Sequence, residues 1–158
     1  HNAVPQMKQK QSGHIINIAS AAAFASGPSM SPYNVTKAGV RSLSESLYAE
    51  LRPFGVKVSV VMPTFFKTQI AQFIRGGKEE KLMAEYLLNR SGISAETIAH
   101  QILKRAGNGD FYIVLPFLSK FLLLLKRLFP IFVLRMNARF SAKREKIIHK
   151  LLQKSESA

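Results

Sequence analysis

Gly13-His14-Ile15-Ile16-Asn17-Ile18-Ala19-Ser20 is a short apolar run that ends on a hydroxyl, and thirteen residues after Ser20 comes Tyr33, in Ser31-Pro32-Tyr33-Asn34-Val35-Thr36-Lys37-Ala38-Gly39. The run His14–Ala19, introduced by Gly13 and carrying adjacent isoleucines, suits a buried parallel strand. The small residues that follow, from Ala21 to Pro28, predict a loop. Ser31 is expected to cap a helix, with Pro32 in its first turn. Val35, Leu43, Leu47 and Leu51 keep helical spacing up to Arg52, and Pro53 and Gly55 end the segment. Val56–Met62 is β-branched and apolar, which predicts a second buried strand. Strand, loop, helix, strand is a βαβ unit, and such units cross over right-handedly in parallel sheets. Ligands of these sheets bind at the carboxyl ends of the strands. Ser20 follows the first strand and Pro63 and Thr64 follow the second, so both lie where a site belongs.

Outward from this unit the pattern weakens. Residues 2–11, with Pro5 and the polar run Lys8–Gln11, resemble the end of a helix. Residues 65–92 are expected to form a helical insertion with a break at Gly76-Gly77 and a charged patch over Lys78–Lys81. Ser94 is expected to cap a helix running to about Ala106, with Ile98, Ile102 and Leu103 at core spacing. Gly107-Asn108-Gly109-Asp110 is a turn cluster, and Phe111–Leu115 the last strand. The expected fold class is α/β, a partial Rossmann-like doubly wound parallel sheet over residues 1–116, followed by a basic amphipathic helical extension over 117–158.

The chain has 158 residues, 47% of them hydrophobic. That is enough for one real core and argues against disorder. It contains no cysteine, which excludes disulfides, thiolate metal sites and cysteine nucleophiles and is consistent with a cytosolic protein. His1, His14, His100 and His149 are scattered and form no metal-binding spacing. The chain starts without methionine, nothing at its start reads as a signal peptide, and it is expected to be a C-terminal fragment.

A hydroxyl, a phenol and an ammonium can converge on one carbonyl oxygen. Lys37 lies one helical turn after Tyr33, so both project from one helix face. A nearby ammonium favours the phenolate, which suits a tyrosine that donates and recovers a proton. Ser20 would hold the substrate oxygen.

Asn17-Ile18-Ala19-Ser20, Tyr33-x-x-x-Lys37, and Pro63 with Thr68 five residues on resemble, in order, the signatures of the short-chain dehydrogenase/reductase family. The resemblance covers roughly residues 1–116. It implies an NAD(P)-dependent oxidoreductase that interconverts an alcohol and a carbonyl. It implies Tyr33 as the catalytic acid/base, Lys37 as its tuning partner and a ribose ligand, and Ser20 as the residue that positions substrate. It also implies a nicotinamide-covering loop with Pro63, Phe66 and Thr68, and NAD or NADP as cofactor. Phe65 and Phe66 are candidates for lining a substrate pocket.

Thr64 stands where the family has glycine. The Gly-rich phosphate turn and the family's Asn-Asn-Ala-Gly segment are not in these residues. The tetrad asparagine has no match, since Asn17 is expected to bond backbone and brace the strand end. Residues 1–158 alone are therefore expected neither to bind NAD(P)H nor to turn over. The alternative from another class is a non-catalytic, membrane-associated binding or scaffold protein that retains the fold.

Net charge is +14, unevenly spread: residues 1–116 carry +6 and residues 117–158 carry +8. The tail reads Phe-Leu-Ser-Lys-Phe-Leu-Leu-Leu-Leu-Lys-Arg-Leu-Phe-Pro. A membrane span needs about 20 mostly apolar residues, and Lys120, Lys126, Arg127 and Pro130 interrupt one. A basic amphipathic segment instead suits an anionic membrane surface, through residues 117–146. The competing expectation is packing on the chain's own domain or on a second copy as a homo-oligomer. A basic patch without aromatic stacking modules gives no support for nucleic acid. The tail's character points to a small lipophilic alcohol or carbonyl substrate and to a cytoplasmic protein peripheral at the membrane.

Overall fold

A computed structural model describes residues 2–70 and 77–156. The order is α1 (Ala3–Gln9), β1 (Gly13–Ile18), a 3-10 turn over Ala21–Ala23, α2 (Ser31–Leu51), a second 3-10 turn over Arg52–Phe54 and β2 (Val56–Pro63). Then follow α3 (Lys78–Asn89), α4 (Ala95–Gly107), β3 (Tyr112–Leu115), α5 (Leu118–Leu128) and α6 (Pro130–Glu156). The described strands form one parallel sheet in the order β1-β2-β3, the expected mixed α/β class.

β2 is the central strand, and its alternation builds two cores. Val56 and Val58 pack with Leu51 and Leu47 of α2, and Val60 and Met62 pack with Phe24, Val114 and Leu122 and Leu123 of α5. Val61 faces the other way, toward Ile98 and Ala106 of α4. Successive residues of a strand point to opposite faces, so α2 and α5 cover one side and α4 the other. A strand buried on both faces needs the near-continuous apolar run that β2 carries. Between β2's valines, buried Ser59 accounts for its polar atoms by bonding His14 Nε2 at 2.8 Å and the Asp110 carbonyl at 2.6 Å. Gly55 turns α2 into β2 with φ +68, and a Cβ there would stand 2.5 Å from the Gln11 carbonyl oxygen. Only glycine meets both conditions without strain.

Several sequence expectations change. Ser31 is the first residue of α2, and Met30 takes the cap position with no side-chain cap bond. The inward stripe of α2 is Val40, Ser44, Leu47 and Leu51, whereas Val35 and Leu43 are exposed. Ile98 is buried and Ile102 half-buried, but Leu103 is 66% exposed. A helix turns 100° per residue, so Ile102 and Leu103 cannot both sit at the centre of one stripe. Ser94 does cap α4, accepting from the Thr97 amide at 3.2 Å. The break at Gly76 lies outside the described residues.

Candidate active site

In a parallel sheet all carboxyl ends lie on one edge, and here that edge carries the predicted groups. Ile18 ends β1, Pro63 ends β2, and Leu115, the register partner of Pro63, ends β3. Ser20 stands extended, and its Oγ accepts from the Ala22 amide at 3.2 Å, capping the 3-10 turn. The same hydroxyl lies 3.5 Å from the Pro63 carbonyl oxygen, joining the ends of β1 and β2. That donation is long, so the proton can turn to another acceptor while the Ala22 amide holds the oxygen.

Lys37 reaches the same edge from α2. Its ammonium donates to the Ile18 carbonyl oxygen at 3.2 Å and stands 5.7 Å from the centroid of the Tyr33 ring. An ammonium has three protons, so one bond to Ile18 leaves capacity for a further acceptor. Tyr33 lies in the first turn of α2 and is 38% exposed. The structure thus joins Ser20 to Pro63, and Lys37 to both Tyr33 and the end of β1.

The loop after β2 divides its residues. Phe65 is exposed, while Phe66 is half-buried and packs against the cluster of Val61 and Ile98. Phe66 therefore contributes to the core on the α4 side. Lys67 pairs with Ser94 as an isolated parallel bridge, which anchors the loop. Thr68 is half-buried in the same loop.

Three supports were not foreseen. Asn17 braces β1 through a side chain rather than backbone: its Nδ2 donates to Ser44 Oγ at 3.0 Å, and Ser44 donates to the Val40 carbonyl at 2.6 Å. Ser44 is fully buried in α2, and a serine inside an apolar helical stripe was the available signal. Asn34, buried beside Tyr33, donates to the Gly27 carbonyl at 2.9 Å and so holds the β1–α2 loop against the first turn of α2. Thr64 makes a contact that glycine could not. Its Oγ1 lies 3.0 Å from Ser119 Oγ on α5, and its amide donates to the Leu115 carbonyl at 2.8 Å. Among the described non-glycine residues, only Gln11 and Ser29 have positive φ, so threonine fits position 64 without strain.

The donor set fits the ribose and nicotinamide end of a dinucleotide: a hydroxyl and an ammonium with donor capacity to spare at the strand ends, and a phenol ring beside that ammonium. A Gly-rich phosphate turn does not occur in these 158 residues. Among the described residues no cluster of histidine and acidic side chains could hold a metal.

Comparison with known proteins bears on the family and the fold. A family model described as short chain dehydrogenase matches residues 1–79. The human protein dehydrogenase/reductase SDR family member 4 is 35% identical over 85 residues, which cover 53% of this chain and 31% of that protein. The 3-oxoacyl-(acyl-carrier-protein) reductase of Rickettsia prowazekii is 32% identical over 111 residues, covering 70% of this chain and 46% of that one. The chain thus spans less than half the length of both relatives. A crystal structure of a short chain dehydrogenase/reductase from Burkholderia phymatum in complex with NAD superimposes with a TM-score of 0.63 at 29% identity, covering 70% of this chain and 45% of that one.

Proposed function

Because the chain belongs to the short-chain dehydrogenase family, we propose that the full-length protein is an NAD- or NADP-dependent oxidoreductase that interconverts an alcohol and a carbonyl. The observation that carries this reading is the Lys37 ammonium, held at the end of β1 by the Ile18 carbonyl and beside the Tyr33 ring. In the reducing direction Tyr33 Oη gives its proton to the carbonyl oxygen as hydride arrives at the carbon. The phenolate left behind is stabilised by the Lys37 charge. Ser20 donates to the same oxygen and orients the carbonyl. When bound, the nicotinamide would supply or accept the hydride, Lys37 and Tyr33 would help hold its ribose, and Pro63, Phe66 and Thr68 belong to the loop that would help hold its ring. Residues 1–116 carry this chemistry, and residues 1–158 alone lack the groups that hold the pyrophosphate.

General acid–base catalysis contributes about 10²–10⁴-fold. In the full-length protein Tyr33→Phe is therefore expected to lower kcat by at least about 100-fold while cofactor affinity, measured by NAD(P)H fluorescence titration, stays nearly unchanged. Unchanged turnover would remove Tyr33 from the chemistry. A wild-type protein that binds but never turns over would favour a scaffold role.

The second part of the reading is peripheral membrane association from the cytoplasmic side, with a lipophilic substrate. Phe117, Phe121, Leu124 and Leu128 recur at helical spacing and are all exposed. Leu122 and Leu123, on the other side of α5, pack into the core. Exposed Lys120 and Arg127 lie on the same helix as that stripe, and Arg135 and Arg139 are exposed on α6. Among the described residues no helix is long and apolar enough to cross a membrane. An apolar stripe with exposed cations on its own helix instead suits an anionic bilayer surface. Co-sedimentation with phosphatidylserine vesicles is expected at low salt and is weakened by high salt. Failure to co-sediment at low salt would exclude this surface.

A further inference from the structure

Helix α6 turns a mixed stripe toward the protein. Val133, Asn137, Arg144 and Ile148 follow one another at helical intervals of four, seven and four. Val133 and Ile148 are buried, as an amphipathic helix requires. The polar pair between them meets the loop that joins β1 to α2. Asn137 Nδ2 donates to the Ser26 carbonyl at 2.8 Å, and Arg144 Nη1 donates to Ser29 Oγ at 3.3 Å. Arg144 Nη2 also lies 3.9 Å from Glu80 Oε1 on α3, and the arginine side chain is only 15% exposed.

The loop so gripped is unusual. Ser29 has φ +59, a left-handed conformation uncommon for a residue with a Cβ. Such a residue persists where its surroundings over-determine it. Ser29 stands two residues before α2 begins and four before Tyr33. From the other side Asn34 of α2 holds Gly27. The segment leading into the tyrosine's helix is therefore clamped between its own first turn and a helix more than a hundred residues later.

We propose that Asn137 and Arg144 are positioning residues for the Ser20, Tyr33 and Lys37 site. On this assignment α6 straps the β1–α2 loop to α3 and sets where α2 starts, and with it the reach of the Tyr33 hydroxyl. The catalytic half of the proposal rests on the oxidoreductase reading above. Neither side chain touches the reacting atoms, so both act through the loop. A misplacement of about 1 Å at a reacting group can cost on the order of 10²-fold in rate.

The test is Asn137→Ala and Arg144→Ala, singly and together, in the full-length protein, read by amide hydrogen exchange and by steady-state kinetics. Amides of residues 24–34 are expected to exchange about fivefold faster or more per lost hydrogen bond, while those of β2 keep wild-type protection. In the double variant kcat is expected to fall about tenfold or more with the KM for the cofactor unchanged. Arg144→Lys, which keeps a charge near Glu80 but not the guanidinium fork, should recover part of both. Should the double variant lose protection in β2 as well, the single variants and Arg144→Lys decide. Wild-type exchange over residues 24–34 in every variant would overturn the strap. Faster exchange there with wild-type kcat would overturn the positioning role. An inactive wild-type protein would sink the oxidoreductase reading and the kinetic half with it, and the exchange data would still decide whether the strap exists.

Discussion

The carboxyl edge of the sheet and the α5–α6 tail meet at the same loops, yet they are built on opposite terms. The edge is held by a backbone ladder in fixed register, with β2 buried on both faces. The holds on the tail include the packing of Leu122, Leu123, Val133 and Ile148 and the side-chain bonds of Ser119, Asn137 and Arg144. It leaves most of its large apolar residues in solvent. Stability is concentrated in the first region. In the second, Ser119 bonds the loop after β2 and Asn137 and Arg144 the β1–α2 loop, while Phe117, Phe121, Leu124 and Leu128 form an outer surface.

Equivalent truncations should separate the two regions. Met62→Ala, in the centre of the sheet, is expected to cost about 2–5 kcal/mol of stability in the full-length protein, from lost burial and the cavity left behind. Denaturant unfolding measures it. Leu124→Ala, on the outer stripe of α5, is expected to change stability by no more than about 0.5 kcal/mol while weakening vesicle co-sedimentation. Similar losses of stability from both would break the comparison, because the tail would then be part of the core.

The smallest expected effect concerns His14. Burial beside Ser59 and the neighbouring Lys57 charge push its ring below the ordinary histidine value of 6.5. The fold therefore favours the neutral ring, and the unfolded chain takes up the proton first. This contribution is fully present above about pH 6.5 and is lost as the pH falls from there toward the folded-state value. A His14→Gln variant should show a flatter melting temperature between about pH 7 and about pH 5. A wild-type profile that rises on acidification would contradict the sign.

The strands and the shared helix face of the candidate residues Tyr33 and Lys37 were legible because they follow local rules. Val56–Met62 announces a buried strand by composition, and Tyr33 and Lys37 share a helix face by spacing alone. Helix faces were less legible. Val35, Leu43 and Leu103 are apolar at plausible spacing and yet exposed, while Ser44 occupies the buried stripe because it receives Asn17 from β1. Spacing defines a stripe but not which neighbour it meets. Thr64 reads in sequence as a departure from a glycine, and only its bond to Ser119 gives it a purpose.

By itself the sequence determined the α/β class, the strand–loop–helix–strand order and the four-residue pairing of Tyr33 with Lys37, because periodicity and helical geometry act over a few residues. Only the tertiary structure decided that Lys37 is tied to the end of β1, that α5 grips the loop after β2, and that Asn137 and Arg144 reach back to Ser26 and Ser29. These are contacts across 19, 55, 111 and 115 residues of chain. A hydrogen bond between distant residues leaves no period in a sequence. It exists only once burial has brought its partners together.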